Sequence, residues 1–191
     1  KLNKALDKKP DKNPIDFTRR KLRRIFNNSS FKHGGRFYHG WWQEIPSAYR
    51  KYITISGKLT EEEDFSGIHI RMLYAFEDIE IGSEDTYLIE GYGAKYRKQV
   101  KVALNTIINA KTKEKAINSI NRELVLPKNK TAKDLFNQLE LKHPKIAKYF
   151  ATGIGIELQY LDSQIAEKVV LRLARDNIVA LPVHDSFIVR M

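Results

Sequence analysis

Two aspartates, two cations one helical turn apart, and several imidazole and amide side chains are the groups in this chain that could do chemistry. Asp185 stands in Ile178-Val179-Ala180-Leu181-Pro182-Val183-His184-Asp185-Ser186-Phe187-Ile188-Val189, where an apolar β-branched run breaks at His184-Asp185-Ser186 and then resumes. That pattern reads as two short strands with a polar tip. An ionised carboxylate costs several kcal/mol to desolvate, so packing does not place it there. An Asp-Ser turn would serve equally well, and the local sequence leaves turn and site open. Asp64 ends the run Glu61-Glu62-Glu63-Asp64. Four consecutive carboxylates destabilise one another unless cations are near; an exposed acidic turn is the alternative. Arg97, Lys101, Asn105 and Asn109 follow one another at four-residue steps along one helix face. Two cations a turn apart suit a phosphate clamp and equally a solvated basic face.

Several elements must position these groups. Residues 1–16 carry Lys, Asp, Asn and Pro without apolar period and read as a linker. Phe17 to Phe26 reads as a short helix with Leu22, Ile25 and Phe26 on one face. His33 to Pro46 is a Gly-rich aromatic stretch, in which glycine lets backbone approach a ligand. Aromatics beside Arg36 can stack on bases or sugars, while Trp41, Trp42 and Phe37 equally suit a core. Tyr49 to Leu59 alternates like a strand, and a second strand leads into the acidic run. Ile68 to Phe76, Tyr87 to Lys111 (with a candidate break at Gly91-Tyr92-Gly93), Lys113 to Glu123, Thr131 to Leu141 and Leu158 to Asp176 read as helices. Thr131 with Asp134 forms a candidate capping box. Gly153 and Gly155 are a weak phosphate-loop signal. The whole is α+β, with a small sheet fed from distant parts of the chain.

The 191 residues suit one domain with a real core. With 42% hydrophobic and 30% charged residues the chain is globular. It has no cysteine, which excludes disulfides and thiolate metal sites. No apolar run approaches a membrane span and no signal-peptide pattern opens the chain, so a cytoplasmic or intraviral protein without a membrane partner is the expectation. The net charge is +11, and all of it lies in the N-terminal third: residues 1–60 hold 15 Lys+Arg and 4 Asp+Glu, whereas residues 61–191 hold 19 of each. Nucleic acid is the natural partner of such a face; a solvated basic tail is the alternative. None of the five histidines pairs at His-x-x-x-His spacing, which argues against a zinc hydrolase.

In combination, several segments resemble the family-A type single-subunit polymerases, meaning family-A DNA polymerases and the related phage RNA polymerases. Asp64-Phe65-Ser66-Gly67-Ile68-His69-Ile70-Arg71 is similar to the family's first metal motif. Val183-His184-Asp185-Ser186-Phe187 is similar to its second, and the His-Asp-Ser-Phe form is that of phage RNA polymerases. Arg97 with Lys101 resembles the Arg-x-x-x-Lys of the fingers helix. Gly35-Arg36 followed by Gln43-Glu44-Ile45-Pro46 resembles the segment Gly-Arg…Gln-Asn-Ile-Pro, and Gln159 resembles the family's duplex-contacting Gln. The matches run in order over residues 34–189.

The resemblance implies a nucleotidyltransferase, a DNA polymerase by preference, with a palm-like antiparallel sheet and a helical fingers-like insertion. It implies a basic N-terminal segment over 1–33, a first palm part over 34–86, reduced fingers over 87–152 and a second palm part over 153–191. It implies that Asp64 and Asp185 hold Mg2+ or Mn2+, two ions about 4 Å apart in the general two-metal scheme. Arg97 and Lys101 would neutralise a nucleoside triphosphate, with His69, Asn105 and Asn109 also at the nucleotide. Arg36, Gln43, Gln159 and His184 would touch a primer–template duplex, through contacts that position more than they read sequence. Further domains or replication proteins are expected partners, since residues 1–33 are too few for a thumb and no exonuclease pattern is present; a compact minimal polymerase and a piece of a longer one are both consistent with this. Departures from the family pattern matter. Asn105 and Asn109 replace aromatics, His69 stands where DNA polymerases carry a ribose-excluding Glu, and Ser186 replaces their second-motif Glu. An RNA polymerase or primase of the same superfamily, or an inactive nucleic-acid-binding derivative, are therefore the alternatives.

Overall fold

The computed structural model describes residues 15–191, so the linker reading of residues 1–16 lies, apart from Ile15 and Asp16, outside the described residues. The fold is α+β, with seven α-helices and two antiparallel sheets among the described residues. The chain divides into two compact units. One comprises residues up to Ser66 together with Gln159–Met191, and the other is Gly67–Leu158.

The first unit opens with a correction. Phe17 to Phe26 is not a helix: β1 (Arg23–Asn27) pairs antiparallel with β2 (Ser30–Tyr38). The spacing of Leu22, Ile25 and Phe26 imitates a helical face, but pairing with the next strand across a two-residue turn decides the outcome. Asn28 and Ser29 both adopt positive φ, the geometry of a two-residue hairpin turn whose twist matches its strands. Gly34 and Gly35 of the Gly-rich stretch therefore lie within a strand rather than in a ligand loop. At Gly35, φ is +81° and an added Cβ would strike the Phe26 ring. Two short helices follow, α1 (Trp41–Glu44) and α2 (Ser47–Arg50).

The second sheet has the strand order β3-β4-β6-β5. The long strand expected over Tyr49 to Leu59 reduces to β3 (Thr54–Ile55), which turns back directly into β4 (Lys58–Asp64). The acidic run is thus strand, not turn. β5 (Ala180–Val183) and β6 (Ser186–Arg190) form the hairpin read from the sequence. Trp42, Ile45, Ile53, Val183 and Ile188 make a buried core, with Leu22, Trp41, Tyr49 and Leu181 packed on it. Trp41 and Trp42 are accordingly packing residues.

The second unit is helical: α3 (Ile68–Ala75), α4 (Arg97–Asn109), α5 (Lys113–Glu123) and α6 (Ala132–Lys142). Val100, Ala103, Leu104, Ile107 and Ile108 are the buried stripe of α4, at the spacing of one helical face. α4, α5 and α6 pack on one another. Thr131 and Asp134 close the expected capping box on α6. α7 (Gly155–Arg175) begins at the second glycine of the Gly153–Gly155 pair and contains the boundary between the units.

Candidate active site

The site grows from the β4–β6 ladder. Its register pairs Thr60 with Arg190, Glu62 with Ile188 and Asp64 with Ser186. Asp64 is the last residue of β4, and Asp185 immediately precedes β6. The Phe65 amide donates to the Asp185 carbonyl at 3.2 Å, so the pairing continues past the strand ends. Paired Cα atoms in such a ladder are about 4.5–5.5 Å apart. Two aspartates 121 positions apart in sequence are thereby rooted on neighbouring backbone at one end of one sheet. The Phe65 and Phe187 rings meet edge to face beside them.

Neighbouring residues brace this end. Strand alternation places Thr60, Glu62 and Asp64 on one face. The Ser186 hydroxyl lies 2.6 Å from Glu62 and 3.1 Å from the Val183 carbonyl. Glu62 also accepts from Arg50 at 2.8 Å, so one member of the acidic run has the nearby cation such a run requires. Trp42 and Gln43 both donate to the Pro182 carbonyl at 2.9 Å. Gln43 donates to the Phe37 carbonyl as well, and accepts from the Gly40 amide. Its amide thus ties β2 to β5, a supporting role that the duplex-contact expectation did not contain.

Arg36 forms a bidentate ion pair with Asp162 on α7, whose side chain is fully buried. Burial works against the guanidinium charge, but the hydrogen bonds and charge of Asp162, with Asp185 adding to them, outweigh it and hold Arg36 above its ordinary range. Arg36 is therefore a fixed cation in the electrostatic reach of Asp185. His184, at the hairpin tip with φ +59°, stacks edge to face on Tyr38 at 5.4 Å. Burial and the nearby Arg36 charge push its imidazole below the usual histidine range, against Asp185 and Asp162. Its Nδ1 is buried without a hydrogen-bond partner, a condition that ordinarily costs about 1–3 kcal/mol.

Asp162 is the residue that sequence reading missed. Gln159, three residues earlier on the same helix, drew attention through its resemblance, yet the helix side chain bound to Arg36 is Asp162. The signal was present in the spacing, because residues three apart share a helix face. Its partner lies 126 positions away, which no local pattern shows.

The other expected residues belong to the helical unit. Arg97 pairs with Asp85 and lies 5.1 Å over the Tyr87 ring; Lys101 lies 5.8 Å from the same ring. The hydrogen bond to Arg97 holds the Asp85 carboxyl below its usual range. Asn105 and Asn109 are exposed and line an open cavity of about 480 Å³ with Val102, Thr106, Lys115 and Ser119. His69 is the second residue of α3, half-buried. α3 starts from Gly67 in the left-handed region (φ +65°), where any side chain would be strained.

For a divalent ion the donor set is two carboxylates. No group of three or more His, Cys, Asp or Glu suited to a metal occurs among the described residues. Mg2+ is compatible with so few protein ligands, since it commonly binds through one or two carboxylates plus substrate phosphates. No helix among the described residues is long and apolar enough to cross a membrane. No protein-family model matches the chain, and no curated protein or solved structure matches it at a significant level.

Proposed function

We propose that this chain is a template-directed nucleotidyltransferase of the DNA polymerase type, with the β4–β6 ladder as a palm-like platform. The single observation that carries the reading is the register that brings Asp64 and Asp185 to one end of adjacent strands. Divalent ions held there by the two carboxylates would supply activation of a primer 3′-hydroxyl and neutralisation of the triphosphate. The chain's own residues bind and orient. Arg36, held rigid by Asp162, presents a fixed positive charge beside Asp185. His184 offers a neutral imidazole whose Nδ1 a bound ligand can satisfy. Lys101 has no ion pair among the described residues, so its ammonium is the cation of the Arg97/Lys101 pair that is open to a phosphate. A cytoplasmic location and a primer–template partner follow from this reading.

Primer extension with Mg2+ or Mn2+ tests it. Asp64→Asn and Asp185→Asn should each reduce incorporation roughly a thousandfold or more, the scale expected when transition-state charge stabilisation by a metal is lost. Full activity in either variant overturns the metal assignment. A second reading, a nucleic-acid-binding derivative without catalysis, is favoured by the Arg97–Asp85 pair, which already spends one expected triphosphate cation. It predicts duplex binding with no incorporation under any metal. Comparing dNTP with NTP substrates addresses the sugar, for which His69 and Ser186 lean away from DNA polymerases; strong NTP preference would move the assignment to an RNA-making enzyme.

A further inference from the structure

From Phe17 to Gln43 the chain holds seven Lys+Arg and no Asp or Glu. The β1–β2 hairpin occupies the middle of this stretch and holds some of its cations in contacts while leaving others exposed. Arg24 points inward: its guanidinium donates to the Gly35 carbonyl, Ser163 and Glu167, and lies over the Phe26 and Phe37 rings. Arg23 and Ile25 alternate with it and are exposed. Arg20, Lys21 and Lys32 are exposed too, and none of these basic residues has an ion pair among the described residues. At the far end Phe31 is 80% exposed, its ring resting only edge-on against Phe26. A large exposed aromatic amid unpaired cations is not explained by the hairpin's own packing.

The register gives this face a direction. Arg23 is the cross-strand partner of Tyr38, and Tyr38 stacks on His184, next to Asp185. From the Arg23–Tyr38 pair to Asn27 at the turn is four strand steps, about 14 Å at ~3.4 Å each. Successive phosphates on one strand of a duplex are ~3.4 Å apart along its axis, so the face matches about four base-pair steps.

We propose that the exposed residues of the β1–β2 hairpin and of the segment entering it are a nucleic-acid duplex-tracking surface. Arg23, with Lys21 just before β1, contacts backbone phosphate at the end near Asp185, Lys32 contacts phosphate about four steps further on near the turn, and Phe31 packs against sugar or base there. The orientation of the duplex rests on the catalytic reading; the binding itself does not. Charge points to the occupant: Arg20, Lys21, Arg23 and Lys32, exposed and without an ion pair among the described residues, suit a polyphosphate, and the spacing suits a helical one. Such contacts hold a duplex in place without selecting sequence.

The test uses the whole chain and a fluorescein-labelled 14-base-pair DNA duplex, followed by anisotropy across a salt series. The triple variant Lys21→Ala/Arg23→Ala/Lys32→Ala should bind on the order of tenfold or more weakly at 0.1 M salt, and its log K against log[salt] slope should shrink by about three. Phe31→Ala should weaken binding while leaving the slope unchanged, since stacking releases no counterions. Unchanged melting midpoints check that the fold persists. Wild-type affinity and slope in the triple variant would overturn the proposal. So would a triple variant that keeps duplex binding but loses sedimentation with phosphatidylserine vesicles, which would make the face a membrane contact. Asp185→Asn separates the two readings. Hairpin-dependent binding without incorporation in any form leaves this surface and removes the catalytic assignment; Asp-dependent incorporation with hairpin-independent binding does the reverse.

Discussion

The two units hold their charges in opposite ways. In the sheet unit the charged groups are placed by backbone pairing and burial: Asp64 and Asp185 by register, Arg36 by a carboxylate with no solvent exposure. In the helical unit the corresponding cations stand on the outside of α4, with Arg97 held only by Asp85 and ring contacts. The first arrangement fixes a charge whether or not a ligand is bound. The second lets a ligand displace the partner, because an exposed pair contributes little and is screened by salt. A charge fixed by burial keeps its place in every state, whereas a charge held by an exposed pair can yield its partner to an anion.

The largest way to break this contrast is Asp162→Ala. It strands a buried guanidinium and should cost about 3–5 kcal/mol in urea unfolding. Converting both partners, Arg36→Met with Asp162→Leu, should restore most of that stability while removing the fixed cation beside Asp185. A pair that can be cut singly without effect would place Arg36 with the exchangeable cations instead.

His143 gives the next effect. It is buried, with Tyr74 at 2.9 Å on Nδ1 and the Thr86 carbonyl at 3.0 Å on Nε2. His143→Ala should cost about 1–3 kcal/mol by leaving buried partners unsatisfied. Burial, helped by the Lys142 charge and opposed by the Thr86 hydrogen bond, keeps its folded pKa below the ordinary value. The unfolded chain therefore takes up a proton first as pH falls. Stability should be full above about pH 6.5, the ordinary histidine value, and decline as pH drops from there through the lower folded value. His143→Gln should flatten that decline in urea titrations at several pH values. Removing the α6 cap, Thr131→Ala, should cost about 1 kcal/mol, read by thermal melting. Asp85→Asn comes last: the melting midpoint should hardly move, while Arg97 becomes free, and under the catalytic reading the KM for nucleotide should fall with kcat retained.

How far the sequence could be read follows from which interactions decide each element. α4, α5 and the capped α6 were legible because their period and caps are local, and the 178–189 hairpin because its polar tip interrupts a β-branched run. The strand carrying Asp64 was legible in kind, with an exposed acidic turn as the alternative for its four carboxylates. β1 was not: three apolar residues at helical spacing competed with a pairing to residues 30–38 that only folding reveals. Asp162 and the Gln43 tie were hidden by distance instead, their partners lying 126 and 139 positions away. Asp64 and Asp185 could be read together at comparable separation because each stands in a segment that resembles a known pattern, and the register does bring their backbones together.

The turns of the β3-β4-β6-β5 sheet finally differ in what they permit. Between β5 and β6 only His184 and Asp185 intervene, and β6 is buried from Ser186 to Ile188. An inserted residue there would either slip Ile188 out of the core or carry Asp185 away from Asp64, because a one-residue slip exchanges the faces of a strand. Ser56-Gly57, between β3 and β4, faces open space. A fluorophore or affinity peptide grafted at that turn would leave the carboxylate end untouched. The same sheet thus offers one loop for attaching a reporter and one that tolerates no added length.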